Sequence, residues 1–277
     1  MVTPPLAAPP VGIPLSGSGK RSRRMLAILD LLSERGDMSV DHLVQAMGTS
    51  PATVRRDIAD LDRQGMLTRV PGGARPRPAA GEVPVRLRAT RFPGRKLRIA
   101  QVAAALLPKG PGAIALGGGT TTAAVADTLV SRDDLTVVTN SLSIAHAISM
   151  HPNLRVIMTG GVVRSCSYEL VGRLAEHAFT AMNIGTAILG ADGVSARGGI
   201  TTHDDIEAQT NAAMFRSAQR RVVVADSSKI GLVTLAQVAA IEEIDDLVTD
   251  AAADPRTLAE LRAAGCRVHV VAEGGAA

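Results

Sequence analysis

The run Gly-Gly-Gly-Thr-Thr-Thr at positions 117–122 has the residue types needed to hold an anion. Gly118 and Gly119 let the backbone approach a phosphate closely, the N–H groups of a helix opening at Thr120, Thr121 and Thr122 point at it, and three hydroxyls add donors. Four more small or polar segments follow apolar runs: Thr139-Asn140-Ser141, Gly160-Gly161, Gly190 to Gly193 with Asp192 inside it, and Asp226 to Lys229. Lys229 offers a compact positive charge, and Asn140 and Asp192 can hydrogen-bond the hydroxyls of a polyol. A phosphorylated sugar meets all of these demands. Each segment alone is a weak signal, because glycine-rich turns without any ligand are common. A nicotinamide site is disfavoured, since G-x-G-x-x-G spacing needs glycine where Thr122 stands.

A second chemistry lies upstream, where Arg55 and Arg56 sit early in a helix, as base- and phosphate-reading arginines do. Ser50 can cap that helix and Pro51 suits its first position. At about 100° per residue Val54, Ile58 and Leu61 form one apolar stripe, with Ala52, Arg56, Ala59 and Arg63 roughly opposite. Ser50, Thr53, Arg55, Arg56, Arg63 and Arg69 are therefore the candidate DNA contacts, and a solvated basic face is the competing reading.

The elements that must position these residues are legible in the apolar periodicity. Met25, Ile28, Leu29 and Leu32 mark one helix, and Val40, Leu43, Val44 and Met47 mark a second, broken by Gly48 before Ser50. Helix, helix, glycine turn, helix is the helix-turn-helix order. Gly65 ends the third helix, and 66–70 followed by the turn Pro71-Gly72-Gly73 reads as a wing. Beyond Lys96 to Leu107, an amphipathic helix, the runs 113–116, 135–138, 154–158, 184–189, 221–225, 246–249 and 267–271 alternate with helices after Thr120, after Ser141, near 206–218 and at 255–264. Buried Val- and Ile-rich runs alternating with helices imply an α/β domain with a mostly parallel sheet covered on both faces. In such sheets ligands bind at the carboxyl ends of the strands, where the five polar segments lie.

The expected organisation is a disordered Pro/Gly/Ser-rich tail over 1–19, a winged helix-turn-helix domain over 20–74, a linker over 75–94 and an α/β effector-binding and oligomerisation domain over 95–273. In the linker, Arg75, Arg77, Arg86 and Arg88 either touch DNA phosphates or solvate a loop. The 277 residues, 46% of them apolar, suffice for two cores. Charge divides unevenly: residues 20–98 hold 17 Lys and Arg against 8 Asp and Glu, a balance of +9, and residues 99–277 hold 13 against 18, a balance of −5. The basic half suits a polyanion. One Tyr, three Phe and no Trp disfavour single-strand binding by stacking, which leaves double-stranded DNA. Cys166 and Cys266 are too few for a disulfide framework or a metal cluster, and no apolar run approaches the ~18 residues of a membrane span. A cytoplasmic protein with reduced thiols, no metal and no cofactor is expected.

The segment S-x-x-T-V-R-R-D-I-x-x-L-x-x-x-G-M-L-T-R-V-x-G-G-A, from Ser50 to Ala74, resembles the DNA-binding domain of the DeoR family of bacterial transcriptional regulators. It departs at Pro71, where that family usually has histidine. The segments E-V-P-x-R-x-R, K-x-R-I-A, G-T-T-T, V-V-T-N-S-L, T-G-G-x-V-R, Y-E-L-V-G, L-G-A-D-G-V, G-G-I-T-T, A-D-S-S-K-I-G and V-T-D, between Glu82 and Asp250, resemble its effector domain in order. The resemblance implies a fold similar to ribose-5-phosphate isomerases and CoA transferases, with phosphorylated sugars or related metabolites as effectors. Two departures fall in the pocket: Gly117 stands where the family often has aspartate, and Asn211 where it often has lysine.

The resulting expectation is a repressor of carbohydrate-metabolism genes that binds a double-stranded operator as a dimer or tetramer and answers to a phosphorylated sugar. The rival is a sugar-phosphate isomerase with an accessory DNA-binding domain. Its base would come from Asp192, Asp204, Asp205 or Glu207. Gly193 follows Asp192 where the isomerases carry a second acid.

Overall fold

The computed structural model describes residues 19–77 and 82–272, so all of the expected tail over 1–19 but Gly19, which opens the first helix, and part of the linker lie outside the described residues. Three helices come first, α1 (Gly19–Arg35), α2 (Val40–Met47) and α3 (Pro51–Arg63), with a short strand β1 (Met38–Ser39) between the first two. Strands β2 (Leu67–Val70) and β3 (Gly73–Pro76) form the wing, which joins β1 in an antiparallel sheet of order β1-β3-β2. The second wing strand thus runs two residues past the expected boundary at 74.

One apolar cluster holds these pieces. Met25, Ile28 and Leu32 of α1, Leu43 of α2, and Val54, Ile58 and Leu61 of α3 meet at its centre with Leu67 and Ala74 of the wing. The α3 start follows its chemistry: Ser50 Oγ accepts from the Thr53 N–H at 3.3 Å and Pro51 occupies the first turn. Ser50→Ala removes that acceptor, so it should cost about 1 kcal/mol of stability, read as a lowered urea midpoint with an unchanged m-value.

The chain then forms a single turn, α4 (Val85–Arg88), and the longer α5 (Pro93–Ala105). After them come β4 (Gly112–Leu116), α6 (Thr120–Thr128), β5 (Leu135–Thr139), α7 (Leu142–Ser149), β6 (Arg155–Met158), β7 (Val162–Arg164), β8 (Glu169–Val171), α8 (Arg173–Thr180) and β9 (Ile184–Leu189). The remainder is β10 (Gly193–Ser195), β11 (Gly199–Thr202), α9 (Asp205–Arg216), β12 (Ala218–Val224), β13 (Ala236–Ala239), β14 (Asp246–Asp250), α10 (Pro255–Ala263) and β15 (Arg267–Val271).

All seven apolar runs become strands of one sheet of order β15-β14-β12-β9-β4-β5-β6, and every pairing in it is parallel. Two apolar clusters cover its faces. One contains Phe179 of α8 and Met214 and Phe215 of α9, and the other contains Ile99 of α5, Val125 of α6 and Ile144 of α7. The central strands are buried on both sides, which is why they read as unbroken apolar runs.

Two antiparallel additions lie beside the sheet, the hairpin β7–β8 and the ribbon β10-β11-β13. The hairpin matters most. Gly161 has φ 137°, and a Cβ there would stand 2.8 Å from the Val171 carbonyl oxygen, so only glycine lets the chain turn back so tightly. Leu170 N–H then donates to Asn140 O at 2.7 Å, and Ser141 bridges to Glu169. The hairpin therefore lies across the carboxyl end of β5.

Candidate functional site

On the helical half, Arg55 and Arg56 are exposed on α3, opposite the buried Val54, Ile58 and Leu61. Ser50 and Thr53 are occupied with each other, their hydroxyls 2.9 Å apart at the helix start. Arg63 ion-pairs with Asp60 in the last turn, and Asp60 also pairs with Arg21 of α1. Arg69 is exposed on the wing, where its backbone N–H donates to Asp62 Oδ1 at 3.1 Å. The structure thus leaves Arg55, Arg56 and Arg69 facing outward and turns Ser50 and Thr53 toward capping.

Asp57, between the arginines and the apolar stripe, was not singled out by its sequence position. Its side chain is buried and receives the guanidinium of Arg24, with Arg21 Nε at 3.5 Å. This pairing clamps the reading helix to α1.

The linker arginines do not act as a group. Arg75 pairs with Asp37 through Nη2 at 2.8 Å, and Arg86 donates to Gln64. Arg88 is half-buried, with Nη2 2.6 Å from Glu82 Oε1 and Nη1 3.0 Å from Asp192 Oδ1. Neither reading of Arg88, phosphate contact or solvated loop, survives: it is an internal tie between the linker and the α/β half. The charge pattern misled because an arginine flanked by prolines and arginines looks solvated, whereas its partner Asp192 lies 104 residues away.

A cavity of about 390 Å³ opens at the carboxyl ends of β12, β9 and β4. Its walls include Gly118, Gly119, Thr120 and Thr121, Gly190 and Asp192, and Asp226 and Lys229. Three of the five polar segments therefore meet. The other two do not: Asn140, Ser141, Gly160 and Gly161 are not among the lining residues, because the β7–β8 hairpin fills the space at their strand ends. Asn140 Nδ2 donates to Leu170 O at 3.3 Å, and Ser141 caps α7. Thr122 likewise faces inward, donating to Gly118 O at 2.6 Å.

The anion-holding reading of Gly118 needs a correction. Its N–H already donates to Glu169 Oε1 at 2.7 Å, and a Cβ on Gly118 would lie 2.3 Å from the Glu169 carboxyl carbon. The glycine is required by an internal carboxylate. The N–H groups and hydroxyls around Gly119, Thr120 and Thr121 remain on the cavity wall.

Glu169 and Lys96 line the cavity although the sequence does not mark them, and it marks Glu207 only as a base for the rival isomerase. Glu169 and Glu207 are both buried, and burial pushes both carboxyls above the ordinary range, helped by the Glu82 charge at Glu169 and by the Glu169 charge at Glu207. Thr202 Oγ1 donates to Glu207 Oε1 at 2.6 Å. Arg164 is shared among Glu82, Asp204 and Glu207, so its single charge does not neutralise all three acids. Asp192 behaves oppositely: burial disfavours its charge, yet Arg88, Lys229 and His203 hold it below the usual range. Lys229 Nζ lies 3.5 Å from Asp192 Oδ1. Lys96 of α5 also lines the cavity, donating to Arg88 O at 2.7 Å, and burial beside Arg88 and Lys229 lowers its ammonium to about 8.

A cavity at parallel-strand ends, an outward arginine pair and a wing make a sensor joined to a DNA reader. The sequence model of the DeoR C-terminal sensor domain matches residues 92–251, and that of the DeoR-like helix-turn-helix domain matches 24–77. The chain belongs to the DeoR family. It is a DNA-binding transcriptional regulator, not an enzyme.

Relatives of this DeoR-family chain match it over most of its length. The HTH-type transcriptional regulator GlpR of Haloferax volcanii is 33% identical over 250 residues, covering 90% of this chain and 96% of its own. The glycerol-3-phosphate regulon repressor of Escherichia coli K12 is 29% identical over 232 residues, 84% of this chain and 92% of its own. Among solved structures, ribose 5-phosphate isomerase A of Methanocaldococcus jannaschii is a partial likeness. It is 20% identical over 50% of this chain and 54% of its own, with a TM-score of 0.37. Among the described residues no helix is long and apolar enough to cross a membrane.

Proposed function

We propose that the protein is a repressor of carbohydrate-metabolism genes, held on its operator by Arg55, Arg56 and Arg69 and governed by a phosphorylated sugar or polyol in the cavity. The observation that carries the effector reading is the cavity itself, whose lining combines the start of α6, Lys229 and Lys96 with Asp192 and Glu207. Cations and helix N–H groups suit a phosphate, while carboxyl oxygens suit hydroxyls. Gly119, Thr120 and Thr121 with Lys229 take the phosphate, and Asp192 takes hydroxyls. The name of the E. coli relative, a glycerol-3-phosphate regulon repressor, supports the same ligand class. The protein works in the cytoplasm as a dimer or tetramer, since winged helices usually read paired half-sites.

The test is titration of the operator complex with glycerol 3-phosphate, ribose 5-phosphate and fructose 6-phosphate. Wild type should respond to one of them with a coupling of about 1–3 kcal/mol. Thr121→Asp places a negative charge at the phosphate position and Lys229→Ala removes a counter-charge, so both should lose the response and still bind operator. A sugar phosphate that acts equally on all three proteins puts the site elsewhere.

A further inference from the structure

The cavity is not built by the sensor domain alone. Leu26, Leu29, Asp30 and Ser33 of α1 line it, together with Met66 before the wing and Pro76 and Arg77 at its end. The spacing explains how one helix serves two surfaces. Met25, Ile28 and Leu32 point into the apolar cluster of the DNA-binding domain and Leu29 packs against its edge, while 26, 29, 30 and 33 share the adjacent face at i, i+3, i+4 and i+7. Leu26 is 6% exposed, yet it takes no part in that cluster, so its burial comes from the interdomain side. Asp30 of α1 pairs with Arg91, 3.4 Å away on the segment leading into α5. On its far side α1 holds the reading helix, through Arg24 and Arg21 to Asp57.

We propose that the effector is gripped between the two domains, its phosphate on the sensor strand ends and its other end against Leu26, Leu29 and Ser33 of α1. This rests on the effector reading above and adds that the DNA-binding domain contributes directly to the ligand site. The helix that clamps the reading helix is then a wall of the effector cavity, and the ligand moves α3 through one packed element within a single chain. A ligand shifts the operator equilibrium only by its differential contacts in the two states, and α1 supplies such contacts.

The experiment uses the full chain and the sugar phosphate that acts on wild type. Ser33 is exposed and outside the apolar core, so Ser33→Phe intrudes into the cavity without disturbing the fold. It should weaken effector binding by about tenfold in calorimetry while operator affinity without effector stays at wild type. Hydrogen exchange supplies the second readout: the same ligand should slow exchange across 26–33 of the wild-type protein. Wild-type affinity in Ser33→Phe with unchanged exchange in α1, alongside lost binding in Lys229→Ala, overturns the shared site and leaves the effector reading standing. If no sugar phosphate binds wild type, both fall together.

Discussion

The Arg55→Ala/Arg56→Ala double variant will lose about 2–4 kcal/mol of operator affinity, with most of it traceable to Arg56. Arg56 lies directly opposite the stripe that docks α3, so it points where a base edge would be, and Arg55 lies to one side, toward the phosphates. Both side chains are exposed and neither belongs to the apolar cluster, so the melting temperature should not move. Arg55→Ala alone should weaken binding to all sequences alike and reduce the salt slope by about one. The measurement is fluorescence anisotropy on a duplex selected from random DNA by the wild-type protein, at several salt concentrations. A double variant that still binds this duplex as wild type does removes α3 from the groove.

Raising the pH from 5 to 8 will lower the stability of the α/β domain, and Glu207→Gln will remove much of that dependence. Glu169 and Glu207 are held protonated in the folded protein chiefly by burial, with the Glu169 charge adding to the shift of Glu207, whereas in the unfolded chain both ionise near their ordinary value of 4.5. The folded state therefore binds more protons. Its stability is complete below about pH 4.5 and declines as the pH rises toward the folded value. For Glu207 alone the decline to pH 8 is on the order of a few kcal/mol. Glutamine keeps the hydrogen bond from Thr202 without titrating, so urea midpoints of Glu207→Gln should be flatter with pH and higher than wild type at pH 8. Parallel curves for the two proteins would show Glu207 to be ionised in the fold.

The helical half and the parallel sheet could be read from the chain because their signals are local. Ser50 caps the helix that begins one residue later, and the central apolar runs are strands buried on both faces. The β7–β8 hairpin could not be read so, since Val162 and Val163 are exposed and its strands are three residues each. That omission propagated to the site. Without the hairpin, Asn140, Ser141, Gly160 and Gly161 stand at open strand ends. With it, Asn140, Ser141 and Gly161 are packing residues. Glu169 was hidden for the same reason, since its contact with Gly118 spans 51 residues and nothing near it in sequence marks it as buried. Gly118 was assigned to a ligand because glycine reports only that something comes close. Here that something is the protein's own carboxylate.

The single turn α4 ties both domains at once. Leu87 is buried in the DNA-binding core, the Val85 N–H donates to Cys166 O at 2.9 Å, and Arg88 reaches Asp192. Four residues thus replace a tether with a joint. In an assembly of such chains, the separation of two reading helices is dictated by how the sensor bodies meet, with no slack in between. The operator must then present its half-sites at one fixed rotational phase, and inserting half a helical turn of DNA between them puts the second half-site on the wrong side of the duplex.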